Sequence, residues 1–487
     1  MKRTMTLLMA AWMLSGCSFA PDYHRPQMEL PAAWSEAGGE EAPPAGEWWR
    51  RFNDETLNAL VRRALDRNRD LKQALARVDM ARAALGTARA GLFPQFSAQG
   101  SGERAKSSED ASASYGTMKA LGALEDRVNA LDGRGSAVPA PSRTDTLWSG
   151  AVQAAWELDF WGRYRNLAGE ARENLLSAQQ TQRALELSLA GQVCSAYFDV
   201  LNYRAQRALT ERTLAAREHY AALYEVQYAA GAIGELDILN VRTQVDDLKD
   251  SLSQAKTRLE QAEGALLLLT GASPAEILSG KTEPGRELES FAAAPVLPAG
   301  LPSALLERRP DILSAEAALR AAHFQVGVAR AAFFPSISLT GSFGTAAGEL
   351  NELFSGPSRT WSFGGNVGLP LLTFGRTLSG VRQAEAAVRE AAAAYELAVQ
   401  QAFSDIRSAL AAQKGEAESV QSLEAAVRRM ERAAALARLR YAAGYAPYLD
   451  VLEAERTLYA SQMQLAARRA GQLSAVAQVC VALGGGW

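Results

Sequence analysis

Gly91-Leu92-Phe93-Pro94-Gln95-Phe96-Ser97-Ala98-Gln99-Gly100-Ser101 returns 241 residues later as Ala332-Phe333-Phe334-Pro335-Ser336-Ile337-Ser338-Leu339-Thr340-Gly341-Ser342. The same offset holds without a gap back through Arg89/Arg330 and Gly86/Gly327 to Asp70/Asp311. A second block repeats at an offset of 213. It carries Trp148/Trp361, Gly162-Arg163/Gly375-Arg376, Tyr228/Tyr441, Gly231/Gly444, Leu236-Asp237/Leu449-Asp450 and Gly271/Gly484. The offsets differ by 28, so the first copy holds 28 extra residues, within a Ser-, Ala-, Gly- and Asp-rich stretch from Ala105 to Thr146. One register kept over more than a hundred residues is not a chance alignment. The chain is two copies of one unit, 56–271 and 303–487, joined by a Pro- and Gly-rich linker at 272–302.

Each copy changes its hydrophobic period twice. The pattern is helical from about Leu57 to Ala90 and from Ala304 to Ala332, and Phe93-Pro94 and Phe334-Pro335 stop it, because a residue before proline avoids the α region. Beyond each proline the period becomes two, predicting strands at about 95–104 and 336–345, with returning strands at about 147–158 and 361–371. In the clearest of them Trp148, Val152, Ala154 and Trp156 alternate with Ser149, Gln153 and Glu157. Segments of some ten residues, apolar on one face and polar on the other with aromatic ends, fit a transmembrane barrel. A soluble hairpin packed on a helix has the same alternation. After Gly162-Arg163 and Gly375-Arg376 come helical runs of some 65 residues without proline, then a Gly-containing turn and a returning helix from Leu236 or Leu449.

Net charge is −3, from 51 Lys and Arg against 54 Asp and Glu, which is no footprint for nucleic acid. Three cysteines (Cys17, Cys194, Cys480) exclude a disulfide scaffold, and His24, His219 and His323 lie too far apart in sequence for a His-built metal site. No phosphate-binding, zinc-protease or nucleophile-elbow motif occurs, so the reading is no enzyme and no cofactor. Residues 1–16 have the charge and short apolar run of a secretory signal. It ends in Leu14-Ser15-Gly16-Cys17, the pattern of a lipobox whose cysteine is acylated, followed by an extended segment over 17–55. The rest has no run of 18 apolar residues, so any part that spans a membrane must be a β-barrel.

These residues resemble the TolC-like outer-membrane efflux factors, in the lipoprotein branch that serves tripartite resistance–nodulation–division type pumps. The resemblance covers essentially the whole mature chain. It rests on Ala20-Pro21-Asp22-Tyr23, Trp48-Trp49 with Phe52 and Asp54, Gly300-Leu301-Pro302-Ser303, Arg308-Arg309-Pro310-Asp311-Ile312 and Leu483-Gly484-Gly485-Gly486-Trp487. It implies an α+β membrane protein, a homotrimer sharing a 12-stranded barrel continued by a long periplasmic barrel of helices. Four strands per chain are too few to close a barrel; three chains supply 12, and two would supply 8, so the resemblance decides for three. Ser18 after the cysteine, by the same resemblance, points to the outer membrane. Implied partners are a periplasmic adaptor, an inner-membrane transporter and outer-membrane lipid, with no nucleic acid.

The implied function is a passive exit duct for drugs or other small toxic compounds. Metal-cation efflux and type I polypeptide secretion fit the same fold, and a lipid-anchored coiled-coil spacer of the envelope is a reading from another class. By resemblance the turns Gly231-Ala232-Ile233 and Gly444-Tyr445-Ala446 meet the adaptor, although their glycines also suit a helix C-cap. Tyr441, Leu449, Asp450 and Glu453, with Asp237 and Asn240 in the first repeat, fall where the family narrows its periplasmic end. Asp450 and Glu453 share one helix face, so three chains would gather six carboxylates, a set expected to titrate together with some pKa values raised. The resemblance also implies a hydrogen bond from Tyr441 to Asp237 across neighbouring helix pairs. Ala446 stands where some family members carry a clamping arginine.

Overall fold

The computed structural model describes residues 18–29, 46–106, 108, 113–131, 144–280, 282–283, 285–291 and 308–485. The signal over 1–16, Cys17, residues 292–302 of the linker and the terminal Gly486-Trp487 lie outside the described residues. The chain divides into two compact units. The first comprises residues 84–171 and 323–386 with the N-terminal strap as far as Asp22, and the second holds the remaining helical segments.

The first unit contains one antiparallel sheet in the order β1 (Gln95–Lys106), β2 (Thr144–Glu157), β3 (Ser336–Ala347), β4 (Arg359–Gly368). Gln95 faces Ala155; adding 241 to the first and 213 to the second gives Ser336 and Gly368, which also face each other. The duplication is therefore obeyed residue by residue in the hairpins. One sheet face is polar: Ser101 and Ser149 hydroxyls are 2.8 Å apart, those of Ser342 and Ser362 2.7 Å apart, and Gln153 Nε2 donates to Gln99 Oε1 at 3.3 Å. The other carries Phe96, Val152, Phe343, Trp361, Phe363 and Val367, all exposed. Apolar side chains in one continuous exposed band mark a surface meant to be covered. Gly102 faces Trp148, whose ring occupies the space a Cβ would take, so a larger residue there would make the indole shift.

Two elements of the sheet unit differ from the sequence reading. β4 stops at Gly368, not 371, ahead of Pro370, which has no N–H to give a ladder. The 28-residue excess holds a helix, α3 (Ala113–Leu131), between β1 and β2. Leu121, Leu124, Val128 and Leu131 recur along it at helical spacing. At the other end of the sheet Trp161 Nε1 donates to Pro335 O at 2.7 Å, and Phe334 stacks between Trp161 (4.8 Å) and Phe19 of the strap (4.5 Å).

The second unit is helical. α1 (Glu55–Arg67) is capped by Asp54, which accepts from Thr56 N at 2.8 Å and from the Tyr197 hydroxyl. The single helix expected over 57–90 is two, because Asn68 interrupts it. Its Oδ1 accepts from Asp70 N (2.8 Å) and Leu71 N (3.1 Å), starting α2 (Arg69–Ala90), and its Nδ2 donates to Leu269 O (3.0 Å). In the second copy Arg309 stands at Asn68's position, before α7 (Pro310–Ala331), and donates to Ala482 O at 2.9 Å. Leu269 and Ala482 are themselves 213 apart, so two unlike side chains satisfy the same helix-end carbonyl. Arg309 also pairs with Asp311 (2.7 Å) and Asp405 (3.0 Å), which makes Arg-Pro-Asp a structural joint. The long helices α4 (Arg163–Ala229) and α8 (Arg376–Ala442) have 67 residues each. The returning helices α5 (Glu235–Leu269) and α9 (Tyr448–Ala482) have 35 each; a six-residue helix, α6 (Pro274–Ser279), follows α5. Trp48, Phe52, Leu57, Val193, Phe198 and Leu266 form part of the core, with Cys194 and Cys480 in it as free thiols. Burial pushes both thiols up, Cys480 to about 12, so they pack as small apolar groups.

The strap enters this unit at Tyr23. Glu316, whose side chain is only 3% exposed, accepts from Tyr23 Oη (3.0 Å) and Arg25 Nη2 (2.8 Å), and pairs with Arg320 at 2.7 Å. Burial pushes the Glu316 carboxyl up, but hydrogen bonds from Arg25 and Tyr23 and the charge of Arg320 outweigh it and hold it below its ordinary value. A carboxyl depressed by folding contributes stability above its unfolded pKa, and that contribution is lost as pH falls through the folded one. Strap attachment should therefore be constant at neutral pH and weaken below the ordinary carboxylate range. Glu316→Gln should remove the same contribution at neutral pH, on the order of 1.5–3 kcal/mol for hydrogen bonds to a charged group. Amide-exchange protection over residues 20–29 reports it; unchanged protection in the variant would contradict this attachment.

Candidate functional site

The expected site lies in the helical unit, where each long helix turns into its returning partner. Both turns are built alike. Gly231 N donates to Tyr228 O and Ala232 N to Gln227 O, each at 2.9 Å. Gly444 N likewise donates to Tyr441 O (2.9 Å) and Tyr445 N to Arg440 O (2.8 Å). Gly231 and Gly444 have φ of 71° and 77°, the left-handed conformation that closes such a helix end. The cap leaves Ala232 and Tyr445 exposed, while Ile233 and Ala446 are half-buried.

Behind the turns Tyr224, Ile238, Val241, Tyr448, Val451 and Leu452 form a small core of their own. Tyr441 packs against it with its ring 5.2 Å from that of Tyr448, and Tyr224 lies 4.6 Å from Tyr448 on another side. The Tyr441 hydroxyl is 3.1 Å from that of Tyr224, not on Asp237. Asp237 is occupied at its own helix start, where Oδ2 accepts from Gly234 N at 3.3 Å. Leu449, Asp450, Glu453, Asp237 and Asn240 are exposed. Glu453 is paired with Arg456 at 2.8 Å, and that hydrogen bond holds its carboxyl below the ordinary value. Within the single chain the Glu453 shift is therefore downward.

The strongest electrostatic feature here was absent from the sequence reading. Glu455 is 11% exposed and receives Arg217 at 2.9 Å and Arg438 at 2.6 Å, from two different helices; Arg217 itself is only 5% exposed. Arg217 also reaches the Tyr448 hydroxyl at 3.4 Å, and burial pushes that phenol up to about 12. Burial, then the Tyr441 hydrogen bond, raises Tyr224 as well. A signal for part of this lies in the duplication. Arg438–Glu455 corresponds, at 213, to Glu225–Arg242, which pair at 2.8 Å with the charges exchanged. Arg217 has Met430 as its counterpart, so the buried half of the network belongs to one repeat alone. Among the described residues no group of three or more His, Cys, Asp or Glu side chains could hold a metal ion.

Removing Glu455 would leave Arg217 buried without its carboxylate. Glu455→Ala should destabilise this end by roughly 3–5 kcal/mol, against about 0.5–1.5 kcal/mol for Tyr441→Phe, which loses one hydroxyl pair. Hydrogen exchange of the amides around Tyr224 and Tyr448 measures both. Equal effects from the two variants would contradict the ranking.

The model of the family described as "Outer membrane efflux protein" matches residues 60–272 and 301–485. The solvent efflux pump outer membrane protein SrpC of Pseudomonas putida is 33% identical over 99% of this chain and 97% of its own length. The cation efflux system protein CusC of Escherichia coli is 32% identical over 97% of this chain and 96% of its own. In structure, the chain superposes on the CmeC outer membrane channel of Campylobacter jejuni with a TM-score of 0.87. That match is 26% identical and covers 97% of this chain and 95% of that one.

Proposed function

We propose that this chain, which belongs to the outer membrane efflux protein family, is the exit duct of a tripartite pump, passing drugs or other small toxic compounds out of the cell without catalysing a reaction. The observation that carries the reading is the sheet: four strands, one polar face, one exposed apolar face and two unpaired edges. Among the described residues no helix is long and apolar enough to cross a membrane, so the sheet is the part suited to lipid. In this reading three copies join their sheets into one barrel of twelve strands in the outer membrane, and their helices line a periplasmic tunnel. Residues 1–16 are cleaved and Cys17 carries acyl chains; the segment expected to be extended over 17–55 is instead helical at Trp48–Phe52 and from Glu55 onward; the repeats are 56–271 and 303–487 with the linker at 272–302.

The capped turns at Gly231-Ala232-Ile233 and Gly444-Tyr445-Ala446 are assigned to the periplasmic adaptor, which in turn meets the inner-membrane transporter. Exposure of Ala232 and Tyr445 supports that role. The narrow end is assigned to Tyr441, Leu449, Asp450 and Glu453 with Asp237 and Asn240. Arg456 beside Glu453 cancels one charge per chain, so cation preference there rests on Asp450 and Asp237.

Purified full-length protein in planar bilayers should give discrete single-channel conductance, with Asp450→Ala lowering cation selectivity. Persistent absence of conductance, with protein inserted, would leave the envelope spacer as the reading. Intact-mass measurement on the same preparation should find the acyl mass on wild type and not on Cys17→Ala.

A further inference from the structure

The first hairpin carries α3 between Lys106 and Thr144, whereas the second joins Ala347 to Arg359 through two single turns, Leu350–Glu352 and Gly356–Ser358. Among the described residues each chain therefore has one such helix. Along α3 the apolar side chains of Leu121, Leu124, Val128 and Leu131 are 58, 57, 57 and 88% exposed. We propose that the three α3 helices of a trimer pack along this line into a parallel bundle across the external mouth of the duct. This proposal rests on the three-copy reading above and adds a contact between copies that the sheet does not make.

The four positions are spaced 3, 4 and 3 apart. That is the alternation of a coiled-coil seam, narrower than the apolar face of a helix lying on a sheet or on lipid. Glu125 flanks the seam on one side and Arg127 on the other. Around a threefold axis the helices run parallel, and the Glu125 flank of each meets the Arg127 flank of the next. In an antiparallel pair like charges would meet instead. The helix carries Lys119 and Arg127 against Glu125 and Asp126, so no net positive charge draws it to an anionic lipid surface.

Position and reach fit the same assembly. α3 follows the end of β1 and precedes the start of β2, so it is tied to the sheet end opposite Trp161 and Pro335. In the duct reading that end faces outside the cell. Twelve strands about 4.8 Å apart and tilted about 40° close at a radius of roughly 12 Å. Six residues separate Lys106 from Ala113, a length that spans at most about 20 Å, so each helix can reach the axis from the wall. Three helices of about 10 Å diameter then measure about 20 Å across, close to the width of the mouth. A seam this short is marginal between free helices. Tethering three copies to one rim raises their effective concentration to about millimolar, which favours the bundle.

Cysteine cross-linking of the full chain in its membrane tests the bundle. Leu124→Cys, on the seam, should form covalent dimers under mild oxidation roughly tenfold more than Asp126→Cys, on the outer side of the same helix. Equal yields, or no bridge at either position while the native mass remains a trimer's, would overturn the bundle and leave the exit-duct reading standing. A native mass other than a trimer's would overturn both. A nitroxide on Leu124→Cys should show strong spin–spin broadening from its neighbours. A narrow line would overturn the bundle, and relaxation by dissolved oxygen rather than by a water-soluble nickel chelate would then assign the face to lipid. Placement over the mouth is tested on intact cells with a bulky, membrane-impermeant maleimide directed at Ser101→Cys on the polar face of the sheet. Removing residues 113–131 should speed that labelling several-fold, and equal rates would overturn the covering of the mouth.

Discussion

A backbone N–H or C=O facing hydrocarbon has no water to bond, and everything else in this chain is arranged around that constraint. Four strands satisfy one another across three junctions and leave the outer edges of β1 and β4 open. An open edge is a hazard in water and untenable in lipid. The apolar face, with Phe96, Phe343, Trp361 and Phe363 exposed together, closes the other escape, because such a face is not stable against solvent. Polar pairs such as Ser101–Ser149 and Ser342–Ser362 line the opposite face. The sheet thus calls for both a lipid belt and further strands.

Duplication is the means by which the chain meets that demand. Within one chain the two copies join once, by the hydrogen-bonded pairing of β2 with β3, and the outer edges of β1 and β4 stay open. The copies have since diverged where function or packing allowed. Asn68 and Arg309 reach equivalent carbonyls with different chemistry, and Glu225–Arg242 stands against Arg438–Glu455 with both charges exchanged. Only the second of these pairs gained a buried third member, Arg217. The strap likewise chose one copy: Glu316, which holds Tyr23 and Arg25, corresponds to Leu75 in the first repeat. Such asymmetry lets one element be held in one place on a nearly symmetric scaffold.

Much of this was legible in the residues. Phe-Pro and Gly-Arg punctuation marked where helix gives way to strand and strand to helix, and the matching lengths of the two long helices follow from one register shared by both copies. The break at Asn68 escaped because no proline or glycine signals it; the side chain acts as a cap only where Leu269 O is within reach. α3 escaped because a polar, glycine-bearing stretch hides the helical spacing of Leu121, Leu124 and Val128. At the expected narrow end the acidic positions were visible, but their partners were not. Arg456 lies three residues from Glu453 and was open to local inspection, whereas Arg217 and Glu455 are brought together only by packing of distant helices.

The central claim is that the open edges of β1 and β4 are closed by further copies of the same chain. Electron cryo-microscopy of the full-length protein in lipid nanodiscs tests it most directly. The account predicts three copies and one closed sheet of twelve strands, with β4 of each copy in continuous hydrogen-bonded contact with β1 of the next. A particle of two copies and eight strands, or one in which β1 and β4 remain unpaired within the bilayer, would contradict it.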